Sequence, residues 1–229
     1  MTCPQCGSTL NDGTAFCGEC GLPINHSNAA QPGSATSSQN AGIDALAQTA
    51  WKVVKVVIIN PVEGLPAAYT GLQKQEALKT GLVFAGLFDL CAFIGLLLAL
   101  PHWAGTPSFG DIVKILLFGT VPPIALTGAI AAARKILRGA DGTIESDVFI
   151  AGVSLIPIGI VFILAGLLGI GNIEVIALVA VFAESYAILI LYTGCSQIYR
   201  IRTIHAVPAV PAIIVIAGWL SKVVFAALL

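Results

Sequence analysis

"GLVFAGLFDLCAFIGLLLAL", residues 81–100, carries one charged side chain, Asp89, among twenty residues. A helix rises about 1.5 Å per residue, so the run is about 30 Å long and matches the hydrocarbon thickness of a bilayer. It predicts a membrane-spanning helix. Four further runs of the same character lie near 111–133, 148–170, 173–193 and 206–229, separated by breaks carrying Pro, Gly or charge. The whole chain agrees, with 57% hydrophobic and 10% charged residues among 229 and a mean hydropathy of +0.92, outside the range of soluble globular proteins. The expected fold is an all-α integral membrane protein with a five-helix bundle over 81–229.

The breaks have their own local chemistry. Ser108 to Asp111 reads as a capping box, and Asp141-Gly142 as a turn. The basic residues fall on one side of the expected spans. Lys52, Lys55, Lys74 and Lys79 precede span one; Arg134, Lys135 and Arg138 lie between spans two and three; Arg200 and Arg202 lie between four and five. The two opposite connections carry none, while Lys114 and Lys222 fall inside spans towards the far side. By the positive-inside rule this predicts a cytosolic N-terminus and a C-terminus outside, which in a bacterial cell is an inner-membrane protein ending in the periplasm.

Asp89 and Glu184 occupy the middles of spans one and four, each roughly 12–14 Å from the cytosolic edge. A charge at such depth costs about 2.5–3.5 kcal/mol on insertion scales. Either the two carboxyls form a proton- or cation-responsive site, or each is protonated or hydrogen-bonded and fixes helix packing. Lys114, Glu174 and Lys222 read as groups that snorkel or pair near the outer face. Pro122-Pro123, Pro157, Pro208 and Pro211 interrupt the spans' hydrogen bonding. Gly81 with Ala85, and Gly128 with Ala132, have the small-xxx-small spacing of close helix contacts. Cys91 and Cys195 read as small buried apolar residues.

Ahead of the spans, Ile43, Leu46, Ala47, Ala50, Trp51, Val54, Val57 and Ile58 recur at helical spacing, opposite Asp44, Gln48, Lys52 and Lys55. Residues 43–80 are expected to be amphipathic surface helices, with Trp51 and the lysines at the headgroup layer; a helix packed on protein is the other way to use such a face. Asn60, Pro61 and Glu63 begin a helix that Gly64 and Pro66 are expected to break, with a second short one following through Tyr69 and Leu72 to Lys79.

The first residues are of another kind. Cys3 and Cys6, then Cys17 and Cys20, form two C-x2-C knuckles ten residues apart, each followed by a glycine, Gly7 and Gly21. Four thiolates complete a tetrahedral shell around Zn2+, and glycine after a knuckle lets backbone amides reach the sulfurs. A segment of about 25 residues cannot bury enough surface to fold alone, whereas a structural zinc supplies roughly 10–16 kcal/mol. A zinc ribbon over 1–25 is expected, with a flexible linker over 26–42. No secretory signal precedes it, which argues against disulfides, and a site filled by four protein ligands is structural rather than catalytic.

No basic stripe exists for nucleic acid, and no nucleophile elbow, phosphate loop or His-Glu-x-x-His occurs, so enzyme activity is not expected. "NPVEGLPAAYTGLQKQEALKTGLVFAGLF", "GTPSFGDIVKILLFGTVPPIALTGAIAAA" and "LYTGCSQIYRIRTIHAVPAV" resemble segments of the Yip1 domain family, over about residues 60–225. The resemblance implies a five-span membrane domain. The Asp-Leu-Tyr-Gly-Pro type segment associated with Rab-binding eukaryotic members is not recognisable here, so Rab binding is not carried over. The functional expectation is a non-enzymatic scaffold or adaptor whose zinc ribbon meets a protein partner, with the bilayer as its other partner and homo-oligomer formation left open. The alternative is a small transporter or channel using Asp89 and Glu184.

Overall fold

The computed structural model describes residues 37–99, 108–139, 142–169 and 172–228. The chain divides into two units, Met1–Ala41 and Gly42–Leu229. The ribbon expected over 1–25, its cysteines and linker residues 26–36 lie outside the described residues, as does Asp141 of the expected turn. Among the described residues every regular element is a helix. They are α1 (Ser37–Ile59), α2 (Pro61–Thr70), α3 (Lys74–Ala99), α4 (Phe109–Ile136), α5 (Ile144–Leu168), α6 (Ile173–Thr193) and α7 (Thr203–Leu228). Five regions, Lys74–Ala99, Phe109–Ile136, Ile144–Leu168, Ile173–Ile198 and Thr203–Ala227, are long and apolar enough to cross a membrane. This is the architecture of a multi-pass membrane protein.

Several boundaries differ from expectation, each for a local reason. α1 begins at Ser37, inside the expected linker. Its protein-facing side is Ala50, Val53 and Val57, whereas Trp51, Val56, Ile58 and Ile59 are exposed. α2 is not broken at Gly64 and Pro66 but runs through both to Thr70. Asn60 caps it by accepting from the Glu63 N–H at 3.2 Å, and the Asn60 amide donates to the Glu63 carboxylate at 3.1 Å. Glycine is required at 64 because a Cβ there would stand 2.6 Å from the Val56 carbonyl. The second short helix expected towards Lys79 is instead the first turns of α3, set off by the turn after Thr70. The capping box at α4 is present: Ser108 Oγ accepts from the Asp111 N–H, and the Ser108 N–H donates to the Asp111 carboxylate at 2.9 Å. The helices continue through Pro122, Pro123, Pro157, Pro208 and Pro211.

α5 is the centre of the bundle, packed on α3, α4 and α6, while α7 packs mainly on α4. The tightest pair is α3 with α5. A Cβ on Gly81 would stand 2.7 Å from the Phe149 backbone, and Cβ atoms on Gly152 and Gly166 would strike Gly81 and Gly95. Matched glycines advance equally along both helices, so the two run parallel, with α4 making the return. Gly81, Phe88 and Gly95, and Gly152, Gly159 and Gly166, recur every seven residues, the spacing that keeps one helix face on its partner. Without a hydrophobic drive inside lipid, such close van der Waals contact is what holds spans together. Of the expected small-residue pairs, Gly81 is used in this way, whereas a Cβ on Gly128 would meet nothing within 4 Å.

Outward, Ile124, Leu178, Val181, Phe182, Val215 and Trp219 are exposed. In a membrane protein that surface is solvated by acyl chains.

Candidate functional site

The two mid-span carboxylates line separate grooves. Asp89 is half-buried on α3 and lines a groove of about 590 Å³ between α3, α4 and α5, which includes Thr120, Pro123, Thr127 and Gly128. Its Oδ1 is buried without a hydrogen-bond partner. Gly119 of α4 lies against it, since a Cβ there would stand 2.7 Å from that oxygen. Glu184, exposed on α6, lines a separate groove of about 250 Å³ with residues of α4, α5 and α7, among them Pro122, Ser154 and Ser221. The two grooves have no lining residue in common.

The strongest polar cluster is elsewhere, at the end of the bundle where α4 stops and α5 starts. Arg134 Nε and Nη2 donate to the two oxygens of Asp147 at 2.9 and 2.8 Å, the bidentate geometry that suits guanidinium to carboxylate. Arg134 Nη1 donates to the Gly142 carbonyl at 2.8 Å. The Tyr199 hydroxyl donates to Asp147 Oδ1 at 2.5 Å, and the guanidinium lies 5.9 Å from the Tyr199 ring centre. Asp147 has no exposed surface and Tyr199 1%. Burial, reinforced by the neighbouring Asp147 charge, pushes the Tyr199 hydroxyl well above its ordinary range and keeps it a neutral donor.

Local folding places each member. Arg134 is in the last turn of α4, which closes with Arg138 and Gly139 bonding back to Lys135 and Arg134; Arg138 takes φ 53 there. Asp147 is in the first turn of α5. Tyr199 ends the π-turn Gly194–Ile198 that follows α6, its N–H bonded to the Gly194 carbonyl. The cluster therefore fastens the α4–α5 hairpin to the α6–α7 connection. Sequence reasoning used Arg134 only as a topology marker and passed over Asp147 and Tyr199. The available signal was an acid and a base at the facing ends of consecutive spans, 13 residues apart.

A second polar tie joins α6 to α1. Tyr186 OH lies 2.7 Å from the carbonyls of both Val57 and Ile58, acceptors that the end of a helix leaves without a helical donor.

Cys3, Cys6, Cys17 and Cys20 lie outside the described residues. Among the described residues no cluster of His, Cys, Asp or Glu is placed to hold a metal. Cys91 and Cys195 are free thiols, the second buried in the core. Comparison of the chain with protein-family models, with curated proteins and with solved structures gives no match.

Proposed function

We propose that this chain is an inner-membrane scaffold or adaptor of Yip1-like type. Its five-span bundle anchors a zinc ribbon, closed by Cys3, Cys6, Cys17 and Cys20, on the cytosolic face, where the ribbon recruits or senses a protein partner. The observation that carries this reading is the closed cluster of Arg134, Asp147 and Tyr199. Its buried charges are spent on each other and on fastening helix ends, which suits a rigid mount. Basic residues Arg134, Lys135, Arg138, Arg200 and Arg202 belong to that same end, which supports assigning it to the cytosol. The last turn of α1 does not lie along that surface but reaches the middle of α6, where the Tyr186 hydroxyl meets the Val57 and Ile58 carbonyls, and exposed Trp51 sits under Lys55, whose Nζ is 5.2 Å from the ring centre. A closed metal module offers a recognition surface, and tethering raises its local concentration.

The test is cross-linked pull-down from native membranes, comparing the intact chain with a variant carrying serine at all four cysteines. The expected result is a partner captured by the first and lost by the second. Identical capture by both would retire the adaptor reading.

One observation favours a second reading, a small transporter or channel: the unpartnered Asp89 oxygen beside a groove of about 590 Å³. Ion flux into reconstituted vesicles, abolished by Asp89→Asn with Glu184→Gln, would support it, and the absence of flux in the unaltered protein would remove it.

A further inference from the structure

A buried polar atom without a partner requires an explanation, and Asp89 Oδ1 is such an atom halfway along a helix that crosses the bilayer. Among the described residues lining its groove, Asp89 is the one ionisable side chain; α3, α4 and α5 otherwise contribute aliphatic groups, glycines, Pro123 and two threonine hydroxyls. No cation faces it from any of the three helices, so a carboxylate here would be a bare charge in a medium that penalises one. A carboxylic acid is neutral, yet it brings a donor that needs an acceptor.

α4 supplies acceptors at that point. Pro122 and Pro123 have no N–H, so the carbonyls of Phe118 and Gly119 lose the helical donors four residues ahead. Gly119, whose carbonyl Pro123 frees, is the residue packed against Asp89. The absence of a side chain at 119 is also what lets the carboxyl approach α4, because a Cβ would occupy its place. The hydroxyls of Thr120 and Thr127 already donate to the carbonyls of Leu117 and Pro123, which leaves their oxygens as further acceptors.

We propose that Asp89 is a proton-binding site within the bilayer: a carboxylic acid held neutral in the α3–α4–α5 groove, its O–H directed to α4 carbonyls that Pro122 and Pro123 leave without helical donors. It rests on the membrane-spanning reading of α3 and deepens the transport reading by naming the proton as ligand and Asp89 alone, without Glu184, as the site. It does not require that anything be transported.

A lipid-soluble carbodiimide tests this directly, since it reacts with the protonated acid. The acid oxygen bonds to the central carbon of dicyclohexylcarbodiimide and the proton passes to nitrogen; an acyl shift from oxygen to nitrogen then leaves a stable adduct of the whole reagent, with no leaving group. The purified full chain in lipid vesicles is labelled between pH 6 and 9 and the adduct located by mass spectrometry. Asp89 is expected to react at neutral pH at least about tenfold more than exposed Glu63 and Glu76, and Asp89→Asn removes that adduct while leaving the fold intact by circular dichroism. Pro123→Ala returns an N–H to the Gly119 carbonyl and is expected to lower the pH of half-maximal labelling by about one unit, a tenfold change in proton affinity; Pro122→Ala does the same for Phe118. Labelling at the surface glutamates alone, or protection of Asp89 by sodium or lithium at fixed pH, overturns the proposal. An unchanged midpoint in both proline variants overturns the assignment of the acceptors. Labelled Asp89 with no flux keeps the proton site and discards transport, so the two ideas fail separately.

Discussion

Asp147 receives two hydrogen bonds from Arg134 and one from Tyr199 with no surface left to water. Losing one partner is therefore expensive. Arg134→Gln leaves a buried carboxylate without its cation, and a loss of about 3–5 kcal/mol is expected in detergent unfolding; the triple change Arg134→Leu, Asp147→Leu and Tyr199→Phe should recover most of it, because it removes the charges and also the buried hydroxyl that Asp147 accepts from. Tyr199→Phe removes one hydrogen bond to a charged acceptor and should cost about 1.5–3 kcal/mol. It should also change the pH response. The Tyr199 proton is held more tightly in the folded chain than in the unfolded one, so its contribution is complete below the unfolded value of about 10 and is lost as pH rises beyond it. Above about pH 10 Tyr199 should contribute one proton, about 1.4 kcal/mol per pH unit, to the fall of stability measured by unfolding, and Tyr199→Phe should reduce the slope by that amount. None of this was legible in hydropathy. A window average treats Arg134 as the end of a span and Asp147 as the approach to the next, and Tyr199 reaches them from a π-turn that no local pattern in "TGCSQIY" announces.

At the scale of the element, the expected spans and the observed helices coincide in number and nearly in place. Apolar runs of bilayer length leave few alternatives, since every backbone polar group must bond within the segment. The starts differ most: α3 begins at Lys74 and α5 at Ile144, because a helix can extend past the hydrocarbon into a polar first turn where residues such as Glu76 and Glu145 suit its positive end. What the sequence could not rank was its glycines. Gly81, Gly86, Gly128 and Gly152 look alike in a string, yet a methyl group at 152 would drive into Gly81 and one at 86 or 128 would meet nothing within 4 Å. Gly152→Ala should therefore cost about 1–3 kcal/mol through separation of α3 and α5, whereas Gly86→Ala and Gly128→Ala should be neutral or gain up to about 1 kcal/mol. Thermal unfolding of the three variants side by side distinguishes them. That Asp89 and Glu184 line different grooves was not legible for a related reason: matched depth fixes position along the bundle axis and says nothing of which grooves the two helices face.

For the molecule as a whole, five crossings would put the two ends of the bundle's chain on opposite sides of the bilayer. With the basic end in the cytosol, alkaline phosphatase fused after residue 229 should be active and a fluorescent protein fused there dark; the reverse pattern would invert the topology. The purified protein should carry one zinc per chain by elemental analysis, lost when Cys3, Cys6, Cys17 and Cys20 are changed to serine. Those cysteines were the most specific motif in the sequence because ligand spacing is a property of a few residues, independent of the packing that a bundle needs. The parallel embrace of α3 and α5 also bears on how the protein is made. Neighbouring crossings emerge from the insertion machinery in order, so the first to arrive must wait through the synthesis of the second and most of the third before its true companion is delivered. During that interval its bare glycine ridge is open to any narrow passer-by in the lipid, and a chain cut short before Ile144, where α5 begins, would never be relieved of it.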